Sequence, residues 1–261
     1  MSTDALMLLA RRTPHGRTVA RTHAERLRGR LSVDHVHTAF HDGDPQRELD
    51  LSAVTAKEVY AVPLRIGHTY VTTEDYPSAL VALPGDVSCC APAGDAPAVT
   101  DALLDRALET ESNPGTILLV GLGHSRLDAT SSAVERHAAR LRERATVDAV
   151  ETCYLLQNPT VECARYTISE QPAVAVPAFL ADCPATREEI PRKLELDRGG
   201  LAYADPVGDH PALTAAIHAD VEKQRVLSAA DAGASDETPT RAVATDGLGG
   251  HDSGSNSTPL D

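Results

Sequence analysis

The apolar positions of this chain fall in short unbroken runs rather than in alternation. Ala5 to Ala10 and Ile117 to Val120 are continuously apolar and bounded by turn residues. Such runs predict strands buried on both faces, the habit of a parallel sheet with helices on either side. The stretch from Ile117 to Pro159 shows the unit best. Its first run stops at Gly121-Leu122-Gly123-His124-Ser125-Arg126, a helical stretch follows, and a second apolar run spans Val147 to Leu156. This reads as β-loop-α-β, with a glycine-bounded, histidine-bearing loop where a parallel strand ends. Open α/β sheets collect their ligands beyond those strand ends.

The unit has a copy. His23-Ala24-Glu25-Arg26-Leu27-Arg28 returns as His137-Ala138-Ala139-Arg140-Leu141-Arg142, an offset of 114 positions. The same offset relates Val33-Asp34 to Val147-Asp148, Pro45 to Pro159, Glu48 to Glu162, and Ala61-Val62-Pro63 to Ala175-Val176-Pro177. It also relates Pro92, Gly94, Asp95, Pro97 and Thr100 to Pro206, Gly208, Asp209, Pro211 and Thr214. The opening loop of the first copy is about three residues shorter when the first strands are aligned. The chain is therefore an internal duplication, with one repeat over 1–110 and a second over 116–227, joined by the turn-rich Glu111 to Gly115.

Each repeat is expected to hold four strands: Ala5 to Ala10, Asp34 to Phe40, Val59 to Ile66 and Val87 to Ala91, then Thr116 to Gly121, Val147 to Leu156, Ala173 to Leu180 and Leu201 to Ala204. Helices are expected over Thr18 to Leu31, about Gln46 to Ala53, a segment capped by Thr72 or Thr73, and Ala98 to Glu109. Their counterparts are Ser131 to Arg144, Val161 to Ile168, Arg187 to Leu194 and Pro211 to Gln224. Residues 228–261, rich in Gly, Ser, Thr, Asp and Ala, bury too little surface to offset ordering and read as a disordered acidic tail.

Composition narrows the function. The formal net charge is −14, from 38 acidic and 24 basic residues. Only Lys57, Lys193 and Lys223 are lysines. An acidic, lysine-poor surface suits a salt-rich cytoplasm, where self-repulsion is screened. It argues against nucleic acid as a partner, since that needs a basic patch. The five cysteines lack CxxC spacing, so neither a disulfide framework nor a structural zinc site is expected. No apolar run is long enough to span a bilayer, and Ala5 to Ala10 is too short for a signal peptide. The expectation is a cytoplasmic protein, monomer or homodimer, that meets no membrane.

The candidate chemistry is histidine chemistry. His124 lies in the loop after the first strand of the second copy, placed to bind a metal or move a proton. His68 ends the third strand of the first copy, and by strand order faces the same crevice as His15 from the opening loop. The counterpart of His68 is Asp182. Plainer roles fit the rest: Glu48 and Glu162 favour helix N-termini, His23 and His137 pack or cap inside a helix, and His35, His37 and His41 sit exposed on and beyond a strand. Gly121-Leu122-Gly123 lacks the third glycine of a dinucleotide site, and no P-loop, HExxH or Ser/His/Asp order is present. Hydrolysis and phosphoryl transfer are disfavoured.

Taken together, the histidine loop, the HAxRLR helix, the Ala-Val-Pro strand and the segments Thr186-Arg-Glu-Glu-Ile-Pro-Arg-Lys-Leu and Tyr203-Ala-Asp-Pro-Val-Gly resemble the CbiX-type class II chelatases. The resemblance covers roughly residues 5 to 226, as in the long two-repeat forms. It implies an α/β fold of duplicated chelatase-like (flavodoxin-like) lobes, each a four-stranded parallel sheet flanked by helices, facing each other across a tetrapyrrole cleft. It implies ATP-independent insertion of a divalent ion, Co2+ or alternatively Fe2+ or Ni2+, into sirohydrochlorin or a related tetrapyrrole, with the metal as substrate and no permanent cofactor. His124 and His68 are the implied catalytic residues, with His15 joining them on the metal. Arg126, Arg65, Arg17, Gly121, Gly123 and Ser125 are implied in substrate binding, with Arg11, Arg12 and Arg165 as further partners for its carboxylates. Against the family's VGHGSR pattern Leu122 stands at the histidine and His124 follows two residues later; against PLFxxxGxHxxxDIP, Val71 and Ala185 stand at the second histidine. The alternative is a non-catalytic paralogue that carries tetrapyrrole or metal, or serves as a partner subunit.

Overall fold

A computed structural model describes residues 3–123, 128–168 and 170–235. The first repeat runs β1 (Asp4–Arg11), α1 (Pro14–Leu27), β2 (His35–His41), α2 (Pro45–Glu48), β3 (Glu58–Pro63), a π-helical turn (Val71–Asp75) leading into α3 (Tyr76–Leu80), β4 (Asp86–Cys89) and α4 (Pro97–Thr110). The second runs β5 (Thr116–Gly121), α5 (Asp128–Arg144), β6 (Ala149–Tyr154), α6 (Val161–Thr167), β7 (Ala173–Pro177), a π-helical turn (Ala185–Glu189) leading into α7 (Ile190–Lys193), β8 (Ala202–Tyr203) and α8 (Pro211–Ser235).

The strand orders are β2-β1-β3-β4 and β6-β5-β7-β8, with every pair parallel. Ala5 lies opposite His35 in one sheet and Thr116 opposite Ala149 in the other, so the first strands are related by 111 positions while the rest keep 114. The three-residue difference thus sits in the opening loop, as the sequence comparison expects.

Alternation along these buried strands divides the apolar side chains between two layers. Leu6, Leu8, Ile117 and Leu119 belong to one continuous core that crosses both repeats. Met7 and Leu9 face a separate cluster behind the first sheet, and Leu118 and Val120 one behind the second. Each buried leucine contributes about 2 kcal/mol. The shared core is closed by an exchange of helices: α4 packs against β7 and α8 against β3, while α4 and α8 pack on each other.

Hydrogen bonds repeat this exchange. His23, buried on α1, has Nδ1 2.8 Å from Thr214 Oγ1 and Nε2 3.1 Å from the Gly208 carbonyl. His137, buried on α5, has Nδ1 2.8 Å from Thr100 Oγ1 and Nε2 2.8 Å from the Gly94 carbonyl. Each histidine of one copy is therefore held by the other copy, at equivalent positions. In each case the carbonyl accepts from Nε2–H, which leaves Nδ1 to accept the threonine hydroxyl. Burial lowers the pKa of both, that of His137 to about 4. Asp95 and Asp209 flank the two contacts and take Arg136 and Arg26 across the same seam.

Of the boundaries that differ from expectation, three have clear local reasons. α1 begins at Pro14, because Thr13 accepts from the Gly16 amide and proline needs no donor at the first turn. Thr72 does not cap the following helix from outside; its hydroxyl oxygen reaches back and accepts from the Thr69 amide at 2.9 Å. α8 continues past Gln224 to Ser235, taking in the alanine-rich start of the expected tail, because alanine is the best helix former. The remainder of that tail lies outside the described residues.

Candidate functional site

A cleft with a cavity of about 170 Å3 opens between the carboxyl ends of the two sheets. Its walls are built from equivalent parts of the repeats: Leu64 to Gly67 and Thr69 on one side, Ala178 to Cys183 on the other, with Arg11 and Leu122 from the ends of β1 and β5. Gly67 and Thr69 flank His68, which is half-buried at the rim, and Asp182 lines the opposite wall.

The two rim positions share one scaffold. Thr72 Oγ1 accepts from the Thr69 amide and donates to the Thr69 carbonyl, both at 2.9 Å, and lies 3.4 Å from His68 Nδ1. Since the single hydroxyl proton goes to the carbonyl, His68 presents Nδ1–H to Thr72. In the second repeat Thr186 Oγ1 accepts from the Cys183 amide at 3.0 Å and lies 3.2 Å from Asp182 Oδ1. Arg187 donates to Asp182 Oδ2 at 3.0 Å. An imidazole on one side and a carboxylate on the other are thus held in the same way.

His15, in the first turn of α1, crosses to the second repeat. Its Nδ1 accepts from the Asp182 amide at 2.8 Å and lies 3.4 Å from Asp182 Oδ2. With Nδ1 occupied by a backbone donor, neutral His15 carries its proton on Nε2 and has no lone pair for a metal. The sequence-based assignment of His15 as a metal ligand is corrected on that ground. It positions Asp182.

The remaining candidates divide. Arg65 and Arg11 line the cleft; Arg17 does not, because it lies over the Phe40 ring, 5.8 Å from its centroid, beside a separate groove along β2. Arg12 donates to the Phe40 and Glu48 carbonyls, and Arg165 to those of Leu194, Glu195 and Gly199, so both tie loops rather than face the cleft. Gly121 is a packing glycine: a Cβ there would meet the Tyr154 ring at 2.9 Å and Val134 at 3.0 Å. Gly123 has φ +70° and is closed in by Tyr154 and Gln157. His124, Ser125 and Arg126 lie outside the described residues. No group of three or more His, Cys, Asp or Glu side chains poised for a metal occurs among the described residues.

Two arrangements exceed the sequence reading. His41 is buried rather than exposed, with Nε2 2.8 Å from Tyr76 Oη and Nδ1 3.1 Å from the Gly43 carbonyl. Glu48 accepts from the Asp42 and Gly43 amides, which holds its carboxyl below the usual range and closes the loop after β2. The pairing of His41 with Tyr76 has a sequence signal only in hindsight, because the equivalent positions in the second copy are Leu155 and Ile190.

Two like α/β lobes enclosing a cleft at their strand ends, with an imidazole and a carboxylate at matched rim positions, define a duplicated chelatase-like protein. Comparison with known proteins narrows the class: the chain matches CbiX over residues 10–110 and again over 116–224, and belongs to that family. It is 26% identical to a "Probable sirohydrochlorin cobaltochelatase" of Halobacterium salinarum, over 82% of this chain and 86% of that one. Among solved structures it is similar to SirB from Bacillus subtilis with Fe3+ (TM-score 0.70, 19% identity, 85% of this chain and 95% of that chain). It is also similar to a multi-domain Deinococcus radiodurans protein with structural similarity to chelatases (TM-score 0.64, 24% identity, 84% of this chain), of which it spans 54%. These structures share the fold.

Proposed function

We propose that this chain inserts a divalent ion into sirohydrochlorin or a related tetrapyrrole without ATP, with Co2+ the first candidate and Fe2+ or Ni2+ the alternatives. The observation that carries the reading is the cleft between two like lobes, with His68 and Asp182 at matched positions on its rim. Insertion needs a donor that holds a partly dehydrated ion and a base that takes the pyrrole protons. His68, between the cleft residues Gly67 and Thr69, is suited to hold the ion, and His124 is assigned to the same task from its place after β5. Asp182, oriented by Thr186, Arg187 and His15, is suited to accept a proton. Among the described residues no helix is long and apolar enough to cross a membrane. The charge of −14 fits work in a salt-rich cytoplasm.

The test is a visible-absorbance assay in high salt, with sirohydrochlorin and Co2+, Fe2+ or Ni2+ against a control without protein. A protein-dependent rate that the H68A/H124A double variant loses is the expected result. Unchanged turnover in that variant would remove both histidines from the mechanism. One observation favours a carrier instead: Leu122, at the place of the family's first histidine, gives the cleft wall an apolar side chain. A spectral shift on binding with no rate above control is the outcome that reading requires.

A further inference from the structure

The two walls of the cleft are alike in backbone and unlike in chemistry. Register makes Arg11 the counterpart of Leu122, and the 114-residue offset makes Arg65 the counterpart of Phe179. All four line the cleft. At these positions one wall is therefore cationic and the other apolar, although the same gene segment supplied both.

Neither arginine has an acidic partner among the described residues. In a chain with 38 acidic residues, Arg11 and Arg65 make no ion pair among the described residues. Arg11 donates to the Asp42 carbonyl at 2.9 Å. Burial raises the pKa of Tyr76 while the nearby Arg65 and Arg11 lower it, and its hydroxyl stands 2.8 Å from His41 Nε2. The donors run in one direction: Tyr76 O–H to His41 Nε2, and His41 Nδ1–H to the Gly43 carbonyl. Every acceptor in that series is neutral, and burial together with the arginines disfavours a charge on His41. The neutral pair beside Arg65 leaves the full charge of the guanidinium available to a ligand. Nothing of the kind exists behind Phe179, where Leu155 and Ile190 replace His41 and Tyr76.

We propose that, among the described residues, the first repeat docks the substrate's carboxylates, through Arg11 and Arg65, while Leu122 and Phe179 take its hydrocarbon. A polycarboxylate macrocycle then enters in only one of the two orientations that a two-fold cleft would otherwise offer. This rests on the tetrapyrrole reading above.

The experiment titrates metal-free sirohydrochlorin into the full chain by absorbance, and measures KM and kcat for Co2+ insertion at low and high salt. R11Q/R65Q raises Kd and KM by about tenfold or more, flattens their salt dependence and lowers kcat less, as expected for lost charge-assisted hydrogen bonds. Arg65→Lys recovers part of the loss, which separates charge from folding. Adding Phe179→Arg to R65Q restores nothing, because the charge then lies on the wrong wall. Unchanged Kd in R11Q/R65Q, or rescue by Phe179→Arg, would overturn the proposal. If the parent binds the macrocycle without turnover, the chelatase reading fails while the Kd comparisons still decide the docking.

Discussion

Acid should open the seam between the repeats, and His137 sets the size of the effect. Its side chain is fully buried, and burial lowers its pKa from 6.5 to about 4 despite the nearby Asp95, with Arg140 and Arg136 acting in the same direction as burial. Below 6.5 the unfolded chain takes up a proton that the folded chain refuses. Stability therefore falls with falling pH, from the unfolded value down to the folded one. At 1.36 kcal/mol per unit, the loss from this one group reaches about 3 kcal/mol at pH 4. His23 shifts in the same direction and adds to it. The assay is urea unfolding at constant high salt from pH 7.5 to pH 4, on the parent and on His137→Gln. Gln keeps a donor for the Gly94 carbonyl but cannot titrate, so the variant's disadvantage at neutral pH should shrink as the pH falls. Other groups titrate equally in both proteins and cancel in the difference. Parallel curves for the two proteins between pH 6.5 and pH 4 would refute the reasoning.

Gly94→Ala places a Cβ 2.5 Å from Ile66 Cα and 2.6 Å from the Arg65 carbonyl, so the backbone beneath the cleft must shift. A loss of about 2–3 kcal/mol, read as a lower urea midpoint, is expected from such overpacking. The thiols should separate by burial: Cys163 is exposed, whereas burial pushes Cys90 and Cys153 up to about 12. An aromatic disulfide reagent at pH 8 should label Cys163 in the native protein and reach Cys90 and Cys153 only after unfolding.

The layering of each repeat was legible because its strands are continuously apolar and its turns carry Gly and Pro. The duplication was legible because one offset holds across so many positions. The histidines of the seam were not. His23 and His137 read as residues of an amphipathic helix, and nothing in the spacing says that their partners lie 191 and 37 residues away. His41 misled for a related reason: alternation puts it on a face but does not say what packs there, and only α3 brings Tyr76 over it. The arginines show the limit most clearly. Six looked equivalent as carboxylate partners; among those described, the ends of β1 and β3 bring two to the cleft, while the others satisfy backbone carbonyls or lie on a strand edge. His15 was placed at the right rim but in a different role, because a backbone amide takes its Nδ1.

The exchange of α4 and α8 bears on how the two copies were free to change. A side chain on the seam touches the sister copy, so altering it in one half removes a partner from the other. The seam residues His23 and His137, Thr100 and Thr214, and Gly94 and Gly208 have stayed the same in both halves. At the strand tips such contacts are fewer, His15 to Asp182 being one, and there arginine stands for leucine, arginine for phenylalanine, and histidine for aspartate. A joint that must match itself has let the open end divide its labour.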